Sequence, residues 1–288
     1  MTARILDGRK LADTLLQELR AEIASAQAPR PPGLAAVLVG DDPASQVYVR
    51  NKLKACEICG IRSFFSPLPA TASAPEVSAL LDRLNADPAV DGILLQLPLP
   101  RGLDSRALLQ RLDPAKDVDG LHPLNLGKLV ADDDSGFHPC TPAGVVELLS
   151  RNDIPLEGRR TVIVGRSSLV GKPLALLLLR RAVVGNATVT VVHTKSREVP
   201  ALVAEAELLV AAAGSPGFVR GEWLRPGAVV VDVGIHRTAS RQLVGDVDFE
   251  SAAAVAGAIT PVPGGVGPMT VAMLMRNTTL SWRRRWSR

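Results

Sequence analysis

Short aliphatic runs, each closed by a glycine or a proline and followed by a stretch of helical spacing, recur along this chain. That alternation confines it to an α/β fold built on parallel sheet. Leu34–Val39 ends at Gly40, Gly92–Leu97 at Pro98, and Arg160–Val164 at Gly165. Runs that are apolar at successive positions belong to strands covered by helices on both faces. Hydrophobic residues are 47% of the 288 and aromatics only 3%, so Ala, Val and Leu are the core-filling material.

The first half reads as a βαβ series. Residues 8–26 place Leu11, Leu15, Leu16, Leu19 and Ile23 on one helical face. Asp42 before Pro43 predicts a capped helix start, and Gly60 a stop near Cys59. A strand is expected at Ile61–Phe65, a helix at 75–86, a strand at Gly92–Leu97 and a helix at 104–112. Residues 113–140 mix Asp, Gly, Pro and His with little periodicity and read as a connecting region and cleft wall. A helix then runs from Thr141 to about Arg151, followed by the strand Arg160–Val164, a loop at 165–171 and a helix at 172–182. Strands follow at 188–192, 208–212 and 229–233. The last helix, 268–282, starts at Pro268 and is expected to pack back on the first domain. The architecture implied is two α/β lobes with a cleft between them, where ligands usually sit. The division is 1–140, completed by 268–288, and 141–267.

No apolar stretch approaches the roughly 20 residues that span a bilayer, and the N-terminus lacks a signal peptide's apolar region. The expected address is the cytoplasm, with no membrane partner. Three cysteines, Cys56, Cys59 and Cys140, suit reduced thiols. Cys56-x-x-Cys59 has no second Cys/His pair at ligand spacing, so two packed thiols are expected and no metal. The net charge of +4 owes much to Arg283-Arg284-Arg285 between two tryptophans. So short a run reads as a solvated terminus, not a nucleic-acid arm. A mildly basic surface also suits anionic substrates.

The loop Gly165-Arg166-Ser167-Ser168-Leu169-Val170-Gly171 joins a strand to a helix, and that junction is an anion site because backbone N–H groups and the helix dipole converge there. Against the dinucleotide fingerprint G-x-G-x-x-G, Gly165 fits the first place, Ser167 stands in the second, and Val170 in the third with Gly171 just after. The next strand ends in His193-Thr194-Lys195 and not in an acid. With Arg166 in the loop, this suits the 2′-phosphate of NADP. In the first half, Tyr48 and Lys52 lie one turn apart on a predicted helix, an aromatic for stacking beside an amine for proton transfer. Such pairs are also commonplace on helix surfaces. Gln96 closes an aliphatic strand ahead of Pro98 and Pro100, where α/β folds place ligand groups. Asp117-Val118-Asp119-Gly120 adds two carboxylates that serve equally well as turn formers.

Taken in order, a set of strings resembles the bifunctional methylenetetrahydrofolate dehydrogenase/cyclohydrolase family from about residue 4 to residue 280. They are Val39–Ser45 through Tyr48 to Lys52, Asp91–Pro100, Lys116–Gly120, Pro139-Cys140-Thr141-Pro142, Gly165-Arg166-Ser167 with Val170–Pro173, Asp232-Val233-Gly234-Ile235, and Pro261–Thr270. The resemblance implies a Rossmann-like second lobe and a homodimer. It also implies NADP-dependent oxidation of 5,10-methylenetetrahydrofolate to 5,10-methenyltetrahydrofolate, then hydrolysis to 10-formyltetrahydrofolate.

By the same resemblance Lys52 transfers protons in the hydrolysis, Gln96 orients it, Tyr48 stacks on the substrate and Asp119 binds the pterin's donor edge. Leu97, Pro98, Pro261, Gly264 and Gly265 are further substrate positions, with the loop Pro261–Gly267 closing over the folate. Thr141, Gly165, Arg166, Ser167, Val170, Gly171, Pro173, His193, Thr194, Gly214, Gly234 and Ile235 match NADP-contacting positions. After Ile235 the family usually has Asn, and this chain has His236. A dehydrogenase with little cyclohydrolase activity is the alternative enzyme. A folate- or nucleotide-binding regulator using its basic tail on nucleic acid is the alternative from another class.

Overall fold

The computed structural model describes residues 3–238 and 240–286. In chain order its elements are β1 (Arg4–Ile5), α1 (Gly8–Ser25), β2 (Gly33–Val39), α2 (Pro43–Cys59), β3 (Arg62–Leu68), α3 (Ala74–Ala86), β4 (Gly92–Leu95), α4 (Ser105–Leu109) and α5 (Pro123–Val130). Next come α6 (Cys140–Arg151), β5 (Arg160–Val164), α7 (Gly171–Leu179), β6 (Thr188–Val192), α8 (Val199–Ala204), β7 (Leu208–Ala211) and β8 (Val229–Asp232). The chain closes with β9 (His236–Arg237), β10 (Leu243–Val244), α9 (Phe249–Ala253), β11 (Ala258–Ile259) and α10 (Val266–Trp286).

The chain divides into two compact units. One comprises residues 13–140 with 271–288, the other residues 1–12 with 141–270. The first is built on a parallel sheet of order β3-β2-β4. Every residue of β2 is buried, which is why its run carries no polar alternation. Ala35, Val37 and Val39 on one face of β2 pack with Ile93 and Leu95 of β4 and with Val77, Leu80, Leu81 and Leu84 of α3. Asp42 accepts from the Ser45 N–H at the start of α2, and Gly60 ends that helix at φ 77°.

The C-terminal part of α10 is latched into this unit. Trp282, 2% exposed, donates its indole N–H to Arg30 O, and Ser281 donates to Asp91 O. Truncating a buried ring of that size costs roughly 3–5 kcal/mol. The basic tail is bound to its own chain. Arg283 pairs with Glu22, Arg284 donates to Asp134 O and Ser135 O, and Arg285 reaches the fully buried Asp91 carboxylate, which also holds Arg30. Arg283 to Arg285 therefore staple a terminus and do not form a free cationic arm. Residues 287 and 288 of the segment assigned to this helix lie outside the described residues.

The second unit carries a parallel sheet of order β1-β11-β8-β7-β5-β6. From β5 the chain goes to β6 on one side and then to β7 on the other, so the switch point of this doubly wound sheet lies at the carboxyl ends of β5 and β7. Val162, Val164, Leu209, Ala211, Val230 and Ile259 fill one layer of its core with Val199 and Val203 of α8. Because β1 pairs with β11, Arg4 and Ile5 join this sheet and the residues up to Ala12 group with this unit, whereas the sequence assigns all of 1–140 to the first lobe.

Other differences are local. The region read as connecting, 113–140, contains α5, with His122 at its N-cap and Pro123 opening the helix. The helix expected at 104–112 is only Ser105–Leu109, that expected at 172–182 stops at Leu179, and α10 begins two residues before Pro268. The strand expected at Ile61–Phe65 is Arg62–Leu68. Cys56 and Cys59 are buried, Cys56 against the Met275 sulfur at 3.6 Å, and burial pushes their thiols up to about 12 and about 11. They pack as small apolar groups. Among the described residues no helix is long and apolar enough to cross a membrane.

Candidate active site

In the first unit the sheet delivers Gln96 one residue beyond β4, and α2 delivers Tyr48 and Lys52. Gln96 is held by its own backbone, its N–H bonding Val37 O, and is 7% exposed. Its side-chain amide donates to Leu97 O at 2.6 Å, which turns Oε1 toward Lys52, and Lys52 Nζ donates to that oxygen at 3.0 Å. The amide orientation is therefore fixed by two bonds, one at each end. The Leu97–Pro98 peptide is cis. Tyr48 is 39% exposed. An exposed phenol ring one turn from a half-buried amine can take a flat substrate against its face.

The loop at 116–120 divides its residues sharply between scaffold and site. Lys116 Nζ donates to Leu84 O, Asn85 O and Asp87 O, capping the end of α3. Asp117 is fully buried and accepts from the N–H groups of Leu121 and His122 and from Asn125 Nδ2. Burial pushes its carboxyl up to about 6 despite those bonds. Val118 is core, and a Cβ at Gly92 would lie 2.7 Å from its side chain. Gly120, at φ 74°, lets the loop approach within 2.6–2.7 Å of His138 and Pro139 at the position a Cβ would take. Asp119 is half-buried, and its carboxylate lies against the Cys140 thiol.

Two residues not assigned from the sequence join this cluster. Cys140 is 1% exposed and donates to Val118 O at 3.3 Å. Its thiol is pushed well up by burial first and by the negative charge of Asp119, with Lys52 acting in the opposite sense. The thiol thus lies within electrostatic reach of both groups. Asn277 donates to Val118 O and His138 O, fixing the two chain segments that carry Asp119 and Cys140. Asn277 lies in the polar run Arg276-Asn277-Thr278-Thr279 of α10, so no local contrast marks it.

The second unit holds the remaining candidates. Gly165, at φ 142°, follows β5 directly, and a Cβ there would run into the Ala212 carbonyl beyond β7. A Cβ at Gly171 would run into the Gly165 carbonyl. The two glycines therefore bring the loop, α7 and the end of β7 together at the switch point, and Gly171 does the close packing that the fingerprint assigns to its third glycine. Val170 at the N-cap of α7 supplies no side-chain bond. The Val170 N–H bonds Ser167 Oγ, the Lys172 N–H bonds Ser167 O and Pro173 has no N–H, so the first turn of α7 offers a phosphate the Gly171 N–H. Arg166, Ser167 and Thr194 are exposed, and His193 is half-buried in a turn closed by Ser196.

Loops after β7 and β8 are knitted by two buried carboxylates. Asp232 accepts from the N–H groups of Gly234, Asp246 and Val247, and burial pushes it up to about 6. Asp246 accepts from the N–H groups of Gly214 and Ser215 and from His236 Nε2. A Cβ at Gly234 would meet Asp246 Oδ1, so glycine is required there at any φ. Ile235 is 39% exposed, with its Cδ1 3.5 Å from the position a Cβ would take at Gly267. Thr141 shares a hydroxyl bond of 3.0 Å with Thr270. The loop carrying Pro261, Gly264 and Gly265 is moored to residues 8 and 9, where Arg9 N–H bonds Gly264 O at 2.8 Å.

One unit is a doubly wound sheet with a glycine-lined strand-to-helix turn, the other presents an oriented amine, and together these features define the class of nucleotide-dependent α/β enzymes. The chain belongs to the tetrahydrofolate dehydrogenase/cyclohydrolase family. The catalytic-domain model matches residues 6–119 and the NAD(P)-binding-domain model residues 139–286. It is 54% identical over 283 residues to the bifunctional protein FolD of Desulfovibrio desulfuricans, covering 98% of this chain and 99% of that protein. The structure of FolD methylenetetrahydrofolate dehydrogenase/cyclohydrolase from Campylobacter jejuni superposes with a TM-score of 0.94 at 45% identity, covering 98% of this chain and 99% of that one. The Trypanosoma brucei FolD, solved with NADP and an inhibitor, gives 0.93 at 40% identity, covering 100% and 99% respectively.

Proposed function

We propose that this chain oxidises 5,10-methylenetetrahydrofolate to 5,10-methenyltetrahydrofolate with NADP and then hydrolyses that cation to 10-formyltetrahydrofolate. Membership of the family and the two bifunctional relatives of known structure support the pair of reactions. The observation that carries the second reaction is the Lys52 Nζ to Gln96 Oε1 bond of 3.0 Å.

NADP supplies the hydride acceptor. The nucleotide unit contributes the phosphate cradle of Gly165, Gly171 and the α7 N-terminus, with Ser167, Val170 and Pro173 lining it. Arg166, His193 and Thr194 are assigned to the 2′-phosphate side, and Thr141, Gly214, Gly234 and Ile235 to the nicotinamide side. The oxidation needs little more than a close, fixed approach of the two carbons, so positioning is its main catalytic demand.

Hydrolysis adds water to the methenyl carbon, opens one C–N bond and releases one proton. In this reading Lys52 takes a proton from the attacking water and returns one to the departing nitrogen, and Gln96 holds the amine in line. Tyr48 stacks on the pterin, Asp119 accepts from its donor edge, and Leu97, Pro98, Pro261, Gly264 and Gly265 complete the binding surface. A homodimer working in the cytoplasm completes the proposal. The edge strand β6, which among the described residues pairs with β5 alone and leaves Val191 39% exposed, supports a further protein contact there.

The test is to mix the protein with 5,10-methylenetetrahydrofolate and NADP and follow methenyl absorbance. A rise followed by decay is expected. Absence of any rise would refute the oxidation. A stable plateau would establish the alternative, a dehydrogenase with little cyclohydrolase activity.

A further inference from the structure

We propose that His236, acting through Asp246, is a positioning residue that holds the loop after β7 in its cofactor-binding form. The inference rests on the functional reading above for the cofactor's identity. Its structural basis is independent of that reading.

Asp246 has no solvent-exposed side-chain surface. Its Oδ2 accepts from the Gly214 N–H at 2.9 Å, and its Oδ1 from the Ser215 N–H at 3.0 Å and from His236 Nε2 at 2.6 Å. Its own N–H is fixed by Asp232 Oδ1 at 2.9 Å. One carboxylate therefore binds two successive peptide N–H groups, and the imidazole is the third donor that completes its shell. A carboxylate only accepts, so Nε2 carries the proton in this contact.

Two successive N–H groups tied to one side chain fix two peptide planes. Across a trans peptide the N–H and C=O point in opposite directions. The carbonyls of Ala213 and Gly214 must then face away from Asp246, and among the described residues neither accepts a hydrogen bond. They stand just past the carboxyl end of β7, and the Ala212 carbonyl beside them is the group against which Gly165 packs. A pair of outward acceptors next to a phosphate cradle suits the hydroxyl or amide donors of a dinucleotide. Removing the imidazole donor leaves a buried charge short of one bond. The carboxylate then has reason to rotate, and the two acceptors lose their fixed direction.

Calorimetric titration of NADP into wild type, His236→Leu and His236→Gln tests this, with methenyltetrahydrofolate hydrolysis as a second readout. Leucine is expected to weaken binding about tenfold, equivalent to about 1.4 kcal/mol or one charge-assisted bond. Glutamine, which can donate from a similar reach, is expected to restore most of that affinity while both variants keep the wild-type hydrolysis rate. Equal affinity of the leucine variant and wild type would overturn the proposal. So would equal weakening by leucine and glutamine with hydrolysis falling in parallel, which would mark a general packing defect. Wild-type protein that binds NADP without reducing it would sink the functional reading and leave the affinity comparison to decide this one. Protein that binds no NADP would sink both.

Discussion

Each unit contains a pair of aspartates, and the two pairs are used differently. In the first unit Asp117 is consumed by the loop, accepting two backbone N–H groups and the Asn125 amide, while Asp119, two residues on, is half-buried against the Cys140 thiol. In the second, Asp232 and Asp246 are both consumed, accepting five backbone N–H groups between them. One unit spends a buried charge to order a loop that carries a side-chain acceptor, as recognition of a ligand's donor edge requires. The other spends two to present backbone, which suits binding of an extended ligand.

Lys52→Ala should break the contrast most severely. Hydrolysis of methenyltetrahydrofolate should fall by about 100-fold or more, the range of a lost general acid–base group, while NADP binding by calorimetry is unchanged. Equal loss of both would place Lys52 in the scaffold. Next, Asp119→Ala should raise the folate KM about tenfold with little effect on unfolding, whereas Asp117→Ala, which removes the acceptor of the Leu121 and His122 N–H groups and of the buried Asn125 amide, should lower stability by roughly 2 kcal/mol. Urea unfolding and steady-state kinetics on both variants separate the two roles.

The pH dependence sharpens the same pair. Asp117 is raised from its ordinary 3.8 to about 6, so between those values the folded state binds more protons than the unfolded state. Its contribution is fully present below the lower value and is lost as pH rises through the upper one. The stability gap between wild type and Asp117→Ala should therefore be larger near about pH 4 than near about pH 7, by on the order of 1–2 kcal/mol. A gap that widens with rising pH would contradict the assignment. The smallest effect belongs to exposed Arg166. Alanine there should raise the NADP KM severalfold, about 1 kcal/mol, and leave NAD nearly unchanged. Equal shifts would show that the guanidinium does not read the 2′-phosphate.

Both aspartate pairs show where legibility stopped. Asp117 and Asp119 are chemically identical and two residues apart, and nothing local says which one the chain buries. Asp246 and His236 carry no pattern at all, because their meaning lies in N–H groups 31 and 32 residues away in one case and a carboxylate 10 residues away in the other. By contrast, Lys52 and Gln96 were readable because one sits at helical spacing from Tyr48 and the other closes an aliphatic strand.

By itself the sequence determined the periods: which runs are buried strands, where Asp42 and Gly60 bound a helix, and that a glycine loop joins β5 to α7. Those features depend on backbone sterics and on neighbours within one or two turns, which travel with the residues. Only the tertiary structure decided that β1, two residues long, belongs beside β11 at the far end of the chain, and that α5 forms in a stretch without clear periodicity. It also decided that three C-terminal arginines are used internally. Elements so short have no stability of their own. They exist because hydrogen-bond partners distant in sequence satisfy their backbone, and a local pattern cannot name those partners.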